Sequence, residues 1–210
     1  MAISYPLTFP TQTGIASVNL HAINSVAISS SPFTYKQQIV AHTGQRWEAE
    51  VSLPAMQRDD AEVWVAFLLS LKGQRGTFLM GDPNCATARG SASTAAGTPV
   101  VNGADQTGDS LTVDGLPVSA TGYLLAGDYI QLGGGSSATL HKVLTNVDSN
   151  AAGQATLDIW PHIRTAPADD STIVIANAVG NFRLSSNQSD WSINNASFYG
   201  ITFPAIEAIV

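Results

Sequence analysis

The sequence predicts a mainly β protein: a β-sandwich with one α-helix, carrying a small inserted β-barrel. Three observations predict it. One stretch of the 210 residues has the spacing and the end signals of a long helix. The other apolar runs are short, rich in β-branched residues and separated by Gly, Asn, Asp and Pro. Acidic charge is concentrated in the middle of the chain, which marks that part as a separate module.

Residues 3–10 read as a short strand broken by Pro6 and Pro10. From Ile15 to Ile28 the apolar spacing mixes periods, and Asn19, Asn24 and Ser25 disfavour a helix, so two strands around a turn near Asn24 are expected. Phe33 to Ala41 is a further strand, joined to the next by a hairpin with Gly44 at its turn. From Arg46 to Leu53 apolar and polar residues alternate. Trp47, Ala49, Val51 and Leu53 share one face and Glu48, Glu50 and Ser52 the other, the pattern of a half-buried strand that Pro54 ends. A helix over 59–72 follows. Asp59 with Glu62 makes a start like a capping box, Asp60 adds first-turn charge, and Gly73 is placed to stop the helix. Trp64, Phe67, Leu68 and Leu71 recur at helical spacing, a stripe wide enough to lie on a sheet. Gly76 to Met80 returns as a strand.

Residues 84–107 are small and polar, as expected of a surface crossing between modules. Five short apolar runs come next: Ser110 to Val113, Tyr123 to Leu132, Ala138 to Val147, Gln154 to Trp160 and Thr172 to Asn177. Their spacing suits a small barrel, OB-like or SH3-like. Residues 90–181 hold two basic residues, Lys142 and Arg164, and eight acidic ones, a net −6, whereas the remainder holds seven and eight. From Asn181 the aromatic-rich strands NFRLSS, DWSINN and SFYGITFPAIEAIV resume the style of the first part. Three such strands need a sheet to join, so they are expected to pair with the first 85 residues. The expected domains are a discontinuous sandwich, 1–89 plus 182–210 with helix 59–72, and an inserted acidic barrel, 90–181.

Composition narrows the function classes. With 44% hydrophobic residues the chain can bury a core, and 12% charged residues with many Gly, Ser, Thr, Ala and Asn suit turns and subunit contacts. A net charge of −7 with nine dispersed basic residues argues against specific nucleic-acid binding. Cys85 is the single cysteine, so no internal disulfide and no cysteine-rich zinc site can form. The start, MAISYPLTFPTQTG, lacks a basic and an apolar signal region, and no run of about 18 apolar residues occurs. The expectation is a protein made in the cytoplasm, without export or membrane insertion.

Candidate chemistry is sparse. His21, His42, His141 and His162 are each isolated, without the short spacing of a metal pair. Asp59 and Asp60 are explained by the helix start. Cys85 lacks a partner base, and no Gly-x-Ser-x-Gly elbow occurs. Gly133, Gly134 and Gly135 with Ser136 and Ser137 lack the Lys and the helix of a phosphate loop and read as a hairpin tip. Trp160 ends an apolar strand and reads as core. Asp148, Asp169 and Asp170 lack the dense spacing of a calcium loop. The expectation is no catalytic, cofactor-binding or metal-binding residue, and no enzyme.

The block GQRWEAEVSLPAMQRDDAEVWVAFLLSLKGQRGTFLMGDP resembles one found in tailed-bacteriophage distal tail proteins. It has a W-x-A-x-V-x-L-P-x-M strand, a helix ending in F-L-x-x-L-x-G and a T-F-L-x-G-D-P strand. YLLAGDYIQLG, TLHKVLTNVD and NFRLSS resemble the inserted barrel and re-entry of the same family, so the likeness spans roughly residues 35–207. The resemblance implies a structural virion protein with no chemical motif to carry over. It implies a homo-oligomeric ring, commonly a hexamer, at the distal end of the tail, joining the tail tube protein to hub, tip, baseplate or fibre proteins, with DNA passing through the lumen. Residues 1–89 plus 182–210 would then be the ring-forming core. Two other classes fit a β-sandwich. One is a carbohydrate- or receptor-binding virion module using exposed aromatics such as Trp160, Trp191 and Tyr199. The other is a cell-wall hydrolase, which needs paired carboxylates in a cleft.

Overall fold

The structure, a computed structural model, describes residues 3–11, 14–94 and 97–209. In chain order the elements are β1 (Ser17–Ser30), β2 (Gln37–Ser52), α1 (Arg58–Leu71), β3 (Phe78–Met80), β4 (Val100–Val101) and β5 (Gly108–Asp114). They continue with β6 (Tyr129–Leu132), β7 (Thr139–Val143), β8 (Ala155–Ile163), β9 (Gly180–Leu184), β10 (Trp191–Ile193) and β11 (Tyr199–Glu207). The first sheet runs β1-β2-β11-β9-β3, with β10 beside β11, and the second runs β4-β5-β8-β7-β6. The protein is therefore mainly β, with two sheets and, among the described residues, one α-helix. The carboxy-terminal strands enter the first sheet: β11 lies between β2 and β9, and β9 pairs with β3.

The alternation of the central strand places Trp47, Ala49 and Val51 in the first core, joined there by Leu53 just past the strand's end. On α1, Ala61, Trp64, Val65, Phe67, Leu68 and Leu71 are buried against this sheet, so the helical stripe read from the sequence is the one used. Phe9 fills the space between helix and sheet, stacking on Phe78 at 5.4 Å and tilting onto Trp64 at 5.5 Å. The helix start differs from expectation. Gln57 is the N-cap and makes no side-chain capping bond, so Asp59 and Asp60 act through first-turn charge. At the other end Lys72, ahead of Gly73, takes the first left-handed position (φ 53°), and its N–H donates to Leu69 O at 3.1 Å. Gly73 follows in the same region (φ 68°).

Two expected turns are absent. Ile15 to Ile28 does not break near Asn24 and no hairpin turns at Gly44: β1 and β2 each run through, 14 and 16 residues long, paired from Ser17–Ser52 to Ser30–Gln37. What Asn24 and Gly44 mark is a bulge, where Ser25 faces the stretch His42–Thr43–Gly44. A Cβ on Gly44 would lie 3.0 Å from the Ser25 Cβ, which is the reason for glycine there. Residues 3–10 form no strand; their sheet contact is one parallel bridge, Leu7 to Phe78.

The second sheet holds its own core around Val101, Leu111, Ile130, Leu157 and Ile159. Single bridges from Val100 to Thr172 and from Gln131 to Val174 let one segment touch both sheet edges, curling the sheet toward a barrel. Thr172 to Asn177 thus contributes bridges rather than the expected strand. The 84–107 stretch is also less superficial than its composition suggests. Val101 is fully buried, and the Asp128 carboxylate, itself buried, accepts from Arg89 N at 3.0 Å and Arg89 Nε at 3.2 Å. At the entry to this stretch, a Cβ on Gly81 would fall 2.1 Å from the Ala178 carbonyl oxygen. Gly81→Ala is therefore expected to cost about 1–3 kcal/mol in urea unfolding, because backbone must move to admit it.

Candidate functional site

The most conspicuous feature is the outer half of the β1–β2 hairpin. From Asn24 and Gln45 outward the two strands leave the body of the protein and continue as a two-stranded arm to the turn at residues 31–36. β11 pairs with β2 over Glu48–Ser52, so the outer edge of β2 between Gln37 and Gly44 has no strand beside it among the described residues. Among the described residues no strand pairs with the outer edge of β1 either. Such open edges template pairing with another chain.

The arm is also apolar. Ile28 is 60% exposed, Ile39 61%, Val26 50% and Val40 45%. The bulge adds an even number of residues to β2, so side-chain alternation is preserved across it. Val26, Ile28, Ile39 and Ala41 therefore continue the face that carries Trp47, Ala49 and Val51 in the core. The core side of the sheet extends outward, and among the described residues nothing of the same chain covers it. At the tip Phe33 is 92% and Tyr35 82% exposed.

The base of the arm is tied to the second sheet by ring packing and hydrogen bonds. Trp47 packs edge-on to Trp160 at 4.4 Å and donates from Nε1 to Leu140 O at 2.9 Å, and Trp160 Nε1 donates to Asn24 Oδ1 at 2.8 Å. Beside them the buried Glu207 carboxylate takes two bonds from Arg164, Nη1 at 2.7 Å and Nη2 at 2.8 Å, and a third from Trp47 N at 3.1 Å. Arg164 Nη2 also reaches Gln45 O at 2.5 Å. One ion pair thus joins the end of β11, the end of β8 and the root of the arm. Charge-assisted, two-pronged bonding of this kind fixes orientation as well as distance.

His141 is buried next to this network, with Nδ1 2.7 Å from Pro161 O and Nε2 2.9 Å from Thr139 Oγ1. A carbonyl can only accept, so Nδ1 carries the proton and the Thr139 hydroxyl donates to Nε2. Burial draws its pKa down to about 4, against the upward pull of the Pro161 bond and the Glu207 charge; Arg164 and His162 add to the lowering. The unfolded chain, whose histidines titrate near 6.5, binds more protons between those two values. The stabilising effect of a neutral His141 is complete above pH 6.5 and is lost as pH falls toward 4. The expected loss is on the order of 3 kcal/mol. Urea midpoints of wild type should drop over this window, and His141→Gln should flatten the slope; an unchanged slope would refute the assignment.

A cavity of about 400 Å³ opens beside His141. The Gly133–Ser137 tip, which does connect β6 to β7, forms one side, and residues 163–167 with Ile209 form the other. Ile163, Ala166, Pro167 and Ala138 make it mainly apolar, and Ser136, Ser137, Thr165, His141 and Arg164 are also in its lining.

The remaining candidates lie apart. His21 and His42 are exposed on the hairpin. His162 meets Gln45 Oε1 through its backbone N–H at 2.7 Å. Cys85 Sγ lies 3.4 Å from Asp82 Oδ2, and burial followed by Asp82 pushes the thiol pKa up, the reverse of an activated nucleophile. Asp148 and Asp169 each accept a loop N–H, from Gly122 and Gly103. Among the described residues no group of three His, Cys, Asp or Glu could hold a metal ion, and no helix is long and apolar enough to cross a membrane. Trp160 is half-buried and committed to the Trp47 contact, and Tyr199, read as exposed from the sequence, is buried. Sequence reasoning missed the arm and the Arg164–Glu207 pair. The signal for the arm was present in the β-branched residues on both sides of the Pro32–Tyr35 turn.

No family model matches the chain, and no curated protein matches it.

Proposed function

We propose that the protein is a structural component of a phage tail, forming a ring, hexameric by the family resemblance, at the distal end and connecting the tail tube to the hub, tip or baseplate. The observation that carries this reading is the arm: a two-stranded ribbon with open edges and an uncovered apolar face, anchored at its base by a buried ion pair. A lone monomer gains nothing from exposing such a surface, whereas an assembly buries it. Contact between two different patches on successive copies is heterologous, and a heterologous contact closes into a ring when its rotation permits. The low content of charged residues suits contacts of this extent. Against the glycan-binding alternative, two of its three candidate aromatics, Trp160 and Tyr199, are engaged in packing.

The test is position in the particle. Antibody against the chain should label the tail end remote from the capsid, in electron micrographs of the phage that encodes it. Label on the capsid, on the neck or on no part of the particle would overturn the reading.

A further inference from the structure

We propose that the arm tip of one copy, with Phe33 and Tyr35, seats in the cavity beside His141 of the next copy. The inference rests on the ring reading above and names the contact that closes it.

The tip is built to present its rings. Ser31 N donates to Lys36 O and Tyr35 N to Ser31 O, each at 2.9 Å, which closes the turn. Tyr35 sits in the left-handed region at φ 54°, a conformation that costs a non-glycine residue and persists only when its surroundings enforce it. Both rings are carried outward on paired strands. The arm beyond the bulge, from Val26–Ala41 to Ser30–Gln37, is about 15 Å long before the turn is added.

The cavity fits what the tip offers. Its volume lies within the range of sites that hold small, mostly apolar ligands. A mainly apolar lining with a few polar residues among it suits one phenyl ring and one phenol. Charge does not oppose the fit: Lys36 is the sole charged residue of the 31–36 turn, and Arg164, the one Lys, Arg, Asp or Glu in the cavity lining, is already paired with Glu207.

A copy cannot fill its own cavity. Gly44 and Gln45, at the root of the arm, line a cleft that shares Ile163, Arg164 and Ile209 with the cavity wall. The arm starts at the cavity and ends a ribbon's length away, so the tip that enters belongs to another copy. Tip and cavity are different patches, which makes the contact heterologous and repeating.

The experiment uses the full chain in four forms: wild type, Phe33→Ala/Tyr35→Ala, Ala166→Trp, and Tyr35→Cys/Ala166→Cys in a Cys85→Ser background. Phe33, Tyr35 and Ala166 are all exposed, so circular dichroism should show each form folded. Light scattering should show assembly weakened at least ~100-fold in the tip variant and in Ala166→Trp alike. Mixed in equal amounts, these two should form dimers and stop, because one intact tip meets one intact cavity. Mild oxidation should join the double-cysteine chains into a covalent ladder. Rings that persist in both variants, with no ladder, would overturn the contact while leaving the ring reading intact. A wild type that stays monomeric with no ladder would also overturn it, and antibody labelling would then decide the ring reading separately.

Discussion

Glu207→Ala is expected to destabilise the protein by about 3–5 kcal/mol, the largest loss from any single substitution proposed for this chain. Glu207 and Arg164 have side chains only 3% and 18% exposed. Removing the carboxylate leaves a guanidinium largely out of water and strips the Trp47 N–H of its acceptor. Glu207→Gln should cost less, since an amide oxygen can still serve Trp47. Arg164→Met combined with Glu207→Leu should recover part of the loss, because removing both charges spares the desolvation that each single change exposes. Urea unfolding of the four proteins measures this. A cost below about 1 kcal/mol for Glu207→Ala would show that the pair is not what ties the second sheet to the arm.

Replacing residues 26–41 by an Asn-Gly turn is expected to abolish assembly while leaving the monomer folded. The substituted stretch contributes no residue to either core, and Asn-Gly suits a tight hairpin turn. Thermal unfolding should therefore shift by no more than a few degrees, a change of about 1 kcal/mol or less. Association should fall at least ~100-fold, because the uncovered face formed by Val26, Ile28, Ile39 and Ala41 is removed together with the tip. An intact assembly after the replacement would place the subunit contact elsewhere, with the exposed Trp191, Ile193 and Phe198 on the β10–β11 hairpin the next surface to test.

Periodicity made some of this fold legible in the sequence. The Trp47 strand and the Trp64 helix each bury one face, so their apolar residues recur at periods of two and of about three and a half, and both faces are used as read. The arm carries no such signal. Its apolar residues lie on both faces of a ribbon with no core beneath, so the period is lost, and a bulge marked by Asn24 and Gly44 imitates two turns. The helix start departs from its sequence signal for a local reason: Asp59 and Glu62 satisfy the capping spacing, yet the chain enters the helix at Arg58 and leaves Gln57 as the cap. Nothing local announces the Arg164–Glu207 pair, whose members are 43 residues apart. The cavity is likewise assembled from three separated segments. Tyr199 shows the limit of reading exposure from a strand end: paired with Ile193 and bridged to Met56 at the backbone, it lies in the first core.

The central claim is that the arm makes this chain a ring. The direct measurement is the mass of the full chain in solution by light scattering over a concentration series, with negative-stain images of the largest species. The account predicts a closed ring near six copies, with an open centre, that dissociates on dilution and is absent from the arm-replaced chain. A strict monomer at the highest soluble concentration, indistinguishable from the arm-replaced chain, would contradict it.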